Sequence, residues 1–393
     1  MEFIFILLLA LANIGCVDKP PSASEAPVLS THQEEETDED INRLAGSVFL
    51  IGFMGKSVDD EGVKSAKEAL VSGRAVGVVF LGRNLPERGE ADYAEKVKAL
   101  TDFFKEGVTP APIIAVDQEG GVVERLRPGR ERLPAFSELG AIEDIKEAQS
   151  RAFNAGREAA RQLASLGFNL NFSPVIDIYR EQWGGGEREK SADGKEMVLR
   201  LEKRSFGEKP HRVALLGAEI IWGHLTEGVA PCAKHFPGHG VTLSDTHYEL
   251  PEIDIPINYL MEYELVPFIA AIGNGVPAIM SSHIINRSLD AELPATLSKA
   301  VLTGFLRYRL GFRGVIISDD MTMDAIRNLE GGNSRAAVQA IKAGADLLIF
   351  AWRPEDWTAA YDAVRFGIAS GEINRSQLII SRRRVFSLLQ NPR

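Results

Sequence analysis

From about Ile41 onward, short apolar runs alternate with longer stretches in which apolar residues recur every three or four positions. Eight of the runs read as strands, at 46–53, 75–81, 112–117, 168–174, 229–236, 277–283, 314–320 and 345–351. Helical patterns fill 91–106, 147–166, 213–226, 260–274, 299–310 and 334–343, and an amphipathic segment at 375–389 closes the chain. The strand runs are apolar at consecutive positions, as expected where a parallel sheet is covered on both faces. Eight such alternations predict an α/β fold, a (β/α)8 TIM barrel in one domain over 41–393, with a doubly wound open sheet as the alternative. Polar residues gather where the runs end, at Asp117, Asp177, His235, His283 and Asp319. In a barrel that end carries the chemistry.

The residues before Ile41 break the pattern. An unbroken apolar run from Phe3 to Ala12, too short to span a bilayer, leads to Gly15-Cys16. A small residue before Cys at the end of such a run resembles a bacterial lipoprotein cleavage site. Residues 1–16 are therefore expected to be a leader, with Cys16 as the lipidated residue of an exported periplasmic or cell-surface protein. Plain secretion is the alternative. Residues 17–40 hold Pro20-Pro21 and eight acids against Lys19, with no apolar period, and read as a flexible linker. They carry most of the net charge of −11, so the remainder is close to neutral and has no basic stripe for nucleic acid. Membrane contact is expected only through the lipid. The other cysteine, Cys232, sits in an apolar run and reads as a small core residue.

Three segments can carry chemistry. In Lys234-His235-Phe236-Pro237-Gly238-His239-Gly240, Pro and Gly exclude a helix, so His235 and His239 are not two metal ligands on one helical face. No metal or cofactor is expected. Four residues later, Asp245-Thr246-His247 places a carboxylate beside an imidazole that it could orient and, when protonated, stabilise. The third strand run ends in Asp117-Gln118-Glu119-Gly120-Gly121, where the carboxylates could bind hydroxyls. The seventh ends in Ser318-Asp319-Asp320, where Asp319 is rigidly placed as a nucleophile and Asp320 reads as a cap on the next helix. A long Gly-rich, charged loop at 179–198 comes after the fourth run.

The set K-H-F-P-G-H-G-x4-D-T-H, V-D-Q-E-G-G, R-S-F-G, P-A-T-L-S and I-S-D-D-M resembles glycoside hydrolase family 3, from about Leu44 to the C-terminus. It is similar in particular to the single-domain bacterial β-N-acetylglucosaminidases. The resemblance implies Asp319 as nucleophile, His247 as acid/base and Asp245 as its partner. Asp117, Arg204, Lys234 and His235 would bind the terminal sugar, with Arg125 and His283 as further candidates. The partner would be a small saccharide or muropeptide. A β-glucosidase, a glycoside phosphorylase using the same residues, and a tethered sugar-binding protein without catalysis remain as alternatives.

Overall fold

A computed structural model describes residues 38–87, 89–126, 132–180, 201–240 and 250–390. The expected leader with Cys16, residues 17–37 of the linker, nearly all of the 179–198 loop and the Asp245–His247 pair lie outside these residues. The stretch read as linker ends earlier than its composition suggests, because Asp38, Glu39 and Asp40 open the helix Asp38–Gly46. Acids in a first helical turn are favoured by the helix dipole, so the charge run contributes to the fold at its last three positions.

All eight strand runs form strands: β1 Phe49–Ile51, β2 Gly77–Phe80, β3 Ile113–Val116, β4 Leu170–Asn171, β5 Ala230–Phe236, β6 Ala278–Ser281, β7 Val315–Asp320 and β8 Leu347–Phe350. They pair in parallel and in chain order, and β1 closes on β8 with Phe49 opposite Leu348, giving a closed barrel rather than an open sheet. Alternate residues explain the continuous apolar runs. Leu50, Val79, Ala115, Cys232 and Ile317 fill the barrel interior, whereas Phe49, Phe80, Val116, Ala233 and Ile316 face the surrounding helices. Cys232 is a buried free thiol, raised well above its ordinary pKa by burial. Val385 and Leu388 of the helix Arg375–Gln390 belong to the interior cluster, so the terminal amphipathic segment plugs one end.

The helical layer departs from expectation in instructive places. The 260–274 pattern is broken into Ile257–Glu262 and Val266–Gly273, because Pro267 can sit only in a first turn. The 299–310 pattern winds as wide π-type turns over Ala300–Arg309. Helices Glu61–Val71 and Trp357–Ala369 complete the ring where the sequence pattern singles out none. One polar cluster lies at the opposite end from the expected site. Asp346, just before β8, is fully buried and accepts from Arg307, Arg384 and Ser381 Oγ, and from the Ile316 N–H. It ties the plug and β7 together. Among the described residues no helix is long and apolar enough to cross a membrane.

Candidate active site

Asp117, His235 and Asp319, three of the five strand-end polar residues, line one cavity of about 740 Å³ together with Glu119, Arg125, Arg204, Lys234 and His239. Volumes of this order suit small-molecule sites. Each side chain is placed by a local device that the fold explains.

After β3 the chain turns into a short hairpin, Gln118–Gly120 against Val123–Glu124. Asn171 at the end of β4 grips it, accepting from the Gln118 N–H and donating to the Gln118 carbonyl, both at 2.9 Å. The Asn171 amide also donates to His224 Nε2 (2.8 Å), and His224 Nδ1 meets the Ile220 carbonyl. Burial lowers the His224 pKa to about 4, which keeps the ring neutral and Nε2 an acceptor. Gln118 Oε1 in turn accepts the Arg125 and Leu126 N–H groups, setting Arg125 at the cavity. Gly120 has φ +99°, and a Cβ there would lie 2.5 Å from the Pro134 carbonyl oxygen, so only glycine permits this turn.

The hairpin delivers Glu119, a carboxylate of the V-D-Q-E-G-G motif whose ion-pairing role the sequence does not show. Arg204 Nε and Nη2 donate to its two oxygens at 2.8 and 2.7 Å. Lys234 Nζ lies 2.8 Å from Glu119 Oε1 and donates to Asp117 Oδ1 at 2.6 Å. Two acids and two bases thus close a charge-neutral network under the cavity. Burial pushes Glu119 up, but Arg204 and Lys234 outweigh it and bring the carboxyl from an ordinary 4.5 to about 2. Burial likewise works against charged Lys234 and Arg204, and the facing carboxylates overcome it, raising both. A group whose folded pKa is depressed adds stability above its unfolded value, and that stability is lost as pH falls through the folded value. Wild-type stability should therefore decline between about pH 4.5 and 2 more steeply than that of Glu119→Gln, in urea midpoints taken across that range. Parallel profiles would show that folding leaves the Glu119 pKa unshifted.

Asp177 is the second residue whose role sequence reasoning missed, although its strand-end position marks it. It is fully buried, and its Oδ2 accepts His235 Nδ1–H at 2.6 Å. Its Oδ1 accepts the backbone N–H groups of His235 (3.1 Å) and His239 (2.8 Å). Burial raises the Asp177 pKa, but His235 and these donors lower it further, for a net depression. The Nδ1–H is thus committed to Asp177, which fixes the orientation of the ring. Burial, with His235 beside it, lowers His239 to about 4, so it stays neutral. Gly240 packs so close that a Cβ would lie 1.7 Å from the Ile178 carbonyl oxygen, which seats this segment against the chain leaving β4. Ser205 adds a tie by donating to the Asp177 carbonyl (2.7 Å), fixing the turn after Arg204.

On β7, Asp319 lines the cavity and its Oδ1 accepts the Asp320 N–H (2.8 Å). Asp320 does not cap the next helix, Asp324–Arg327, whose N-cap is Met323; it accepts the Thr322 N–H and Oγ1–H in the turn before it. It also receives the Ala351 and Trp352 N–H groups, lacing β7 to β8. His283 has a different placement from the other sugar-binding candidates. It does not line the cavity. Its Nε2 donates to the Asp320 carbonyl (3.1 Å) and its Nδ1 meets Thr296 Oγ1 (3.0 Å), so it braces the strand end. Asp319 and the 234–240 segment therefore share one cavity at one end of one barrel.

The model of the glycosyl hydrolase family 3 N terminal domain matches residues 37–388. A beta-hexosaminidase of Neisseria meningitidis is 35% identical over 292 residues, 74% of this chain and 74% of its own. Among solved structures, a family 3 beta-N-acetylglucosaminidase from Paenibacillus is 33% identical with a TM-score of 0.79, over 89% of this chain and 62% of that one. The chain thus spans under two thirds of that structure. NagZ from Neisseria gonorrhoeae, solved in complex with N-trifluoroacetyl-D-glucosamine, is 30% identical with a TM-score of 0.67, over 88% of this chain and 93% of its own.

Proposed function

Because the chain belongs to glycoside hydrolase family 3, we propose that it is a retaining, exo-acting β-N-acetylhexosaminidase that removes terminal β-linked N-acetylglucosamine. The observation that carries this reading is the joint cavity of Asp319 and the Asp117–Glu119–Lys234–Arg204 network. A neutral array of fixed donors and acceptors suits the hydroxyls of an uncharged sugar, and its depth suits a chain end.

In this reading Asp117, Arg204, Lys234 and His235 hold the terminal sugar, with Arg125 beside them. Asp319 attacks the anomeric carbon while His247, oriented by Asp245, protonates the departing oxygen. The bond to the leaving group breaks as a glycosyl–Asp319 ester forms. His247 then takes a proton from water, which attacks the ester, releasing the sugar with retained configuration and restoring the Asp319 carboxylate. An imidazole in the acid/base role avoids placing a second anion beside the nucleophile. The natural substrate belongs to cell-wall or chitin-type saccharides. The apolar leader ending in Cys16 supports export and a lipid anchor for the enzyme.

A panel of nitrophenyl β-glycosides, run with and without phosphate, tests the assignment. The N-acetylglucosaminide should be the best substrate, independently of phosphate. Preference for the glucoside, or turnover that requires phosphate, would replace it with the corresponding alternative.

A further inference from the structure

The cavity lining changes around its circumference. After β3 and at the end of β5 stand the buried Glu119, Lys234 and His235. At the ends of β2, β7 and β8, Leu81, Arg83, Met323 and Trp352 stand among Asp319, Asp320, Asp324 and Arg353. Trp352 is 63% exposed and is the exposed large aromatic among the described residues that line the cavity. It is also held in place. Its backbone N–H donates to Asp320 Oδ2 (2.7 Å), and its backbone carbonyl accepts from Arg83 Nη1 (2.8 Å). The Arg83 guanidinium lies 5.6 Å from the indole centroid. Arg83 Nη2 donates to the Ala351 carbonyl (2.6 Å) and Nε to that of Phe53 (3.5 Å), so the guanidinium beside the ring is spent on backbone carbonyls.

We propose that Trp352, with Arg83 beside it, is a stacking platform for the sugar on the leaving-group side of the scissile bond. This rests on the exo reading above. If the terminal sugar is held by the buried network, the rest of the substrate must leave through the open mouth, where Trp352 stands. A β-linked pyranose in its chair form presents axial C–H groups with partial positive charge, which match the negative face of an indole. The Arg353–Asp324 pair beside it (3.5 Å) offers a donor and an acceptor to that sugar's hydroxyls. The second subsite thus sets one aromatic face among polar groups, and it selects for a pyranose without demanding one identity.

Two substrates sharing a terminal N-acetylglucosamine separate the roles: N,N′-diacetylchitobiose, and the β-glycosyl fluoride, whose leaving group has no ring. Trp352→Ala should lower kcat/KM about tenfold or more on the disaccharide and less than about twofold on the fluoride, with Trp352→Phe recovering most of the loss. Equal losses on both substrates, or none on the disaccharide, would overturn the proposal. A binding arm reads the platform without turnover. Tryptophan emission of Asp319→Asn should respond to the disaccharide but not to N-acetylglucosamine alone, and the response should vanish when Trp352→Ala is added. An unchanged response in the double variant would also overturn it. If wild type hydrolyses neither substrate, the glycosidase reading fails, and the emission experiment still decides the platform.

Discussion

Asp319→Asn should abolish turnover, lowering kcat/KM by on the order of 10⁴-fold or more on nitrophenyl N-acetylglucosaminide. The amide has nearly the shape of the carboxylate, and its oxygen can still accept the Asp320 N–H that Asp319 Oδ1 accepts at 2.8 Å. The fold and the lacing of β7 to β8 by Asp320 should therefore survive, which isolates the chemistry from the scaffold. A neutral amide cannot form the glycosyl ester, so the loss should fall on aryl and natural substrates alike. In the wild type, a fluorosugar that slows the second step should leave a stable mass increase on the peptide containing Asp319. Residual activity within about tenfold of wild type, or label on another residue, would remove Asp319 from the nucleophile's role.

Glu119→Ala should destabilise the protein by about 3–5 kcal/mol in urea unfolding, because it strands buried cations. Side-chain exposure is 3% for Lys234 and 13% for Arg204, so water replaces little of what is lost. Lys234 keeps Asp117 as a partner, whereas Arg204 loses the carboxylate that both its Nε and its Nη2 address. Arg204 should therefore suffer most, and the terminal-sugar site should lose its shape along with its stability. A cost below about 1 kcal/mol would mean that the cations are solvated in the unbound protein and that the network does not hold the site.

Much of this architecture is legible in the chain. Parallel strands are buried on both faces, so each strand shows as an unbroken apolar run, and all eight runs form the barrel. Their polar ends mark the face where Asp117, His235 and Asp319 meet. Helices are harder to bound, since an amphipathic period continues across a break. The stretch 260–274 keeps its period through the turn before Pro267, and Glu61–Val71 and Trp357–Ala369 are implied by the alternation without standing out. Within the site, His283 and Asp177 look alike as strand-end polar residues. One braces the Asp320 carbonyl from outside the cavity and the other orients His235. Glu119 lies two positions after Asp117 and carries no local sign that two cations would close on it.

Local pattern by itself determined the number of barrel strands, the end of the barrel that carries the cavity, and the residue types on offer there. Periodicity and strand-end placement are properties of neighbouring residues, and neighbours are what a chain displays. Tertiary structure alone decided which of those residues face one another: Lys234 with Asp117 and Glu119, Arg204 with Glu119, Asp177 with His235, Arg83 with Trp352. It thereby decided which groups are charged, because a buried group's ionisation depends on its burial and on charges brought within a few ångströms from distant positions in the chain.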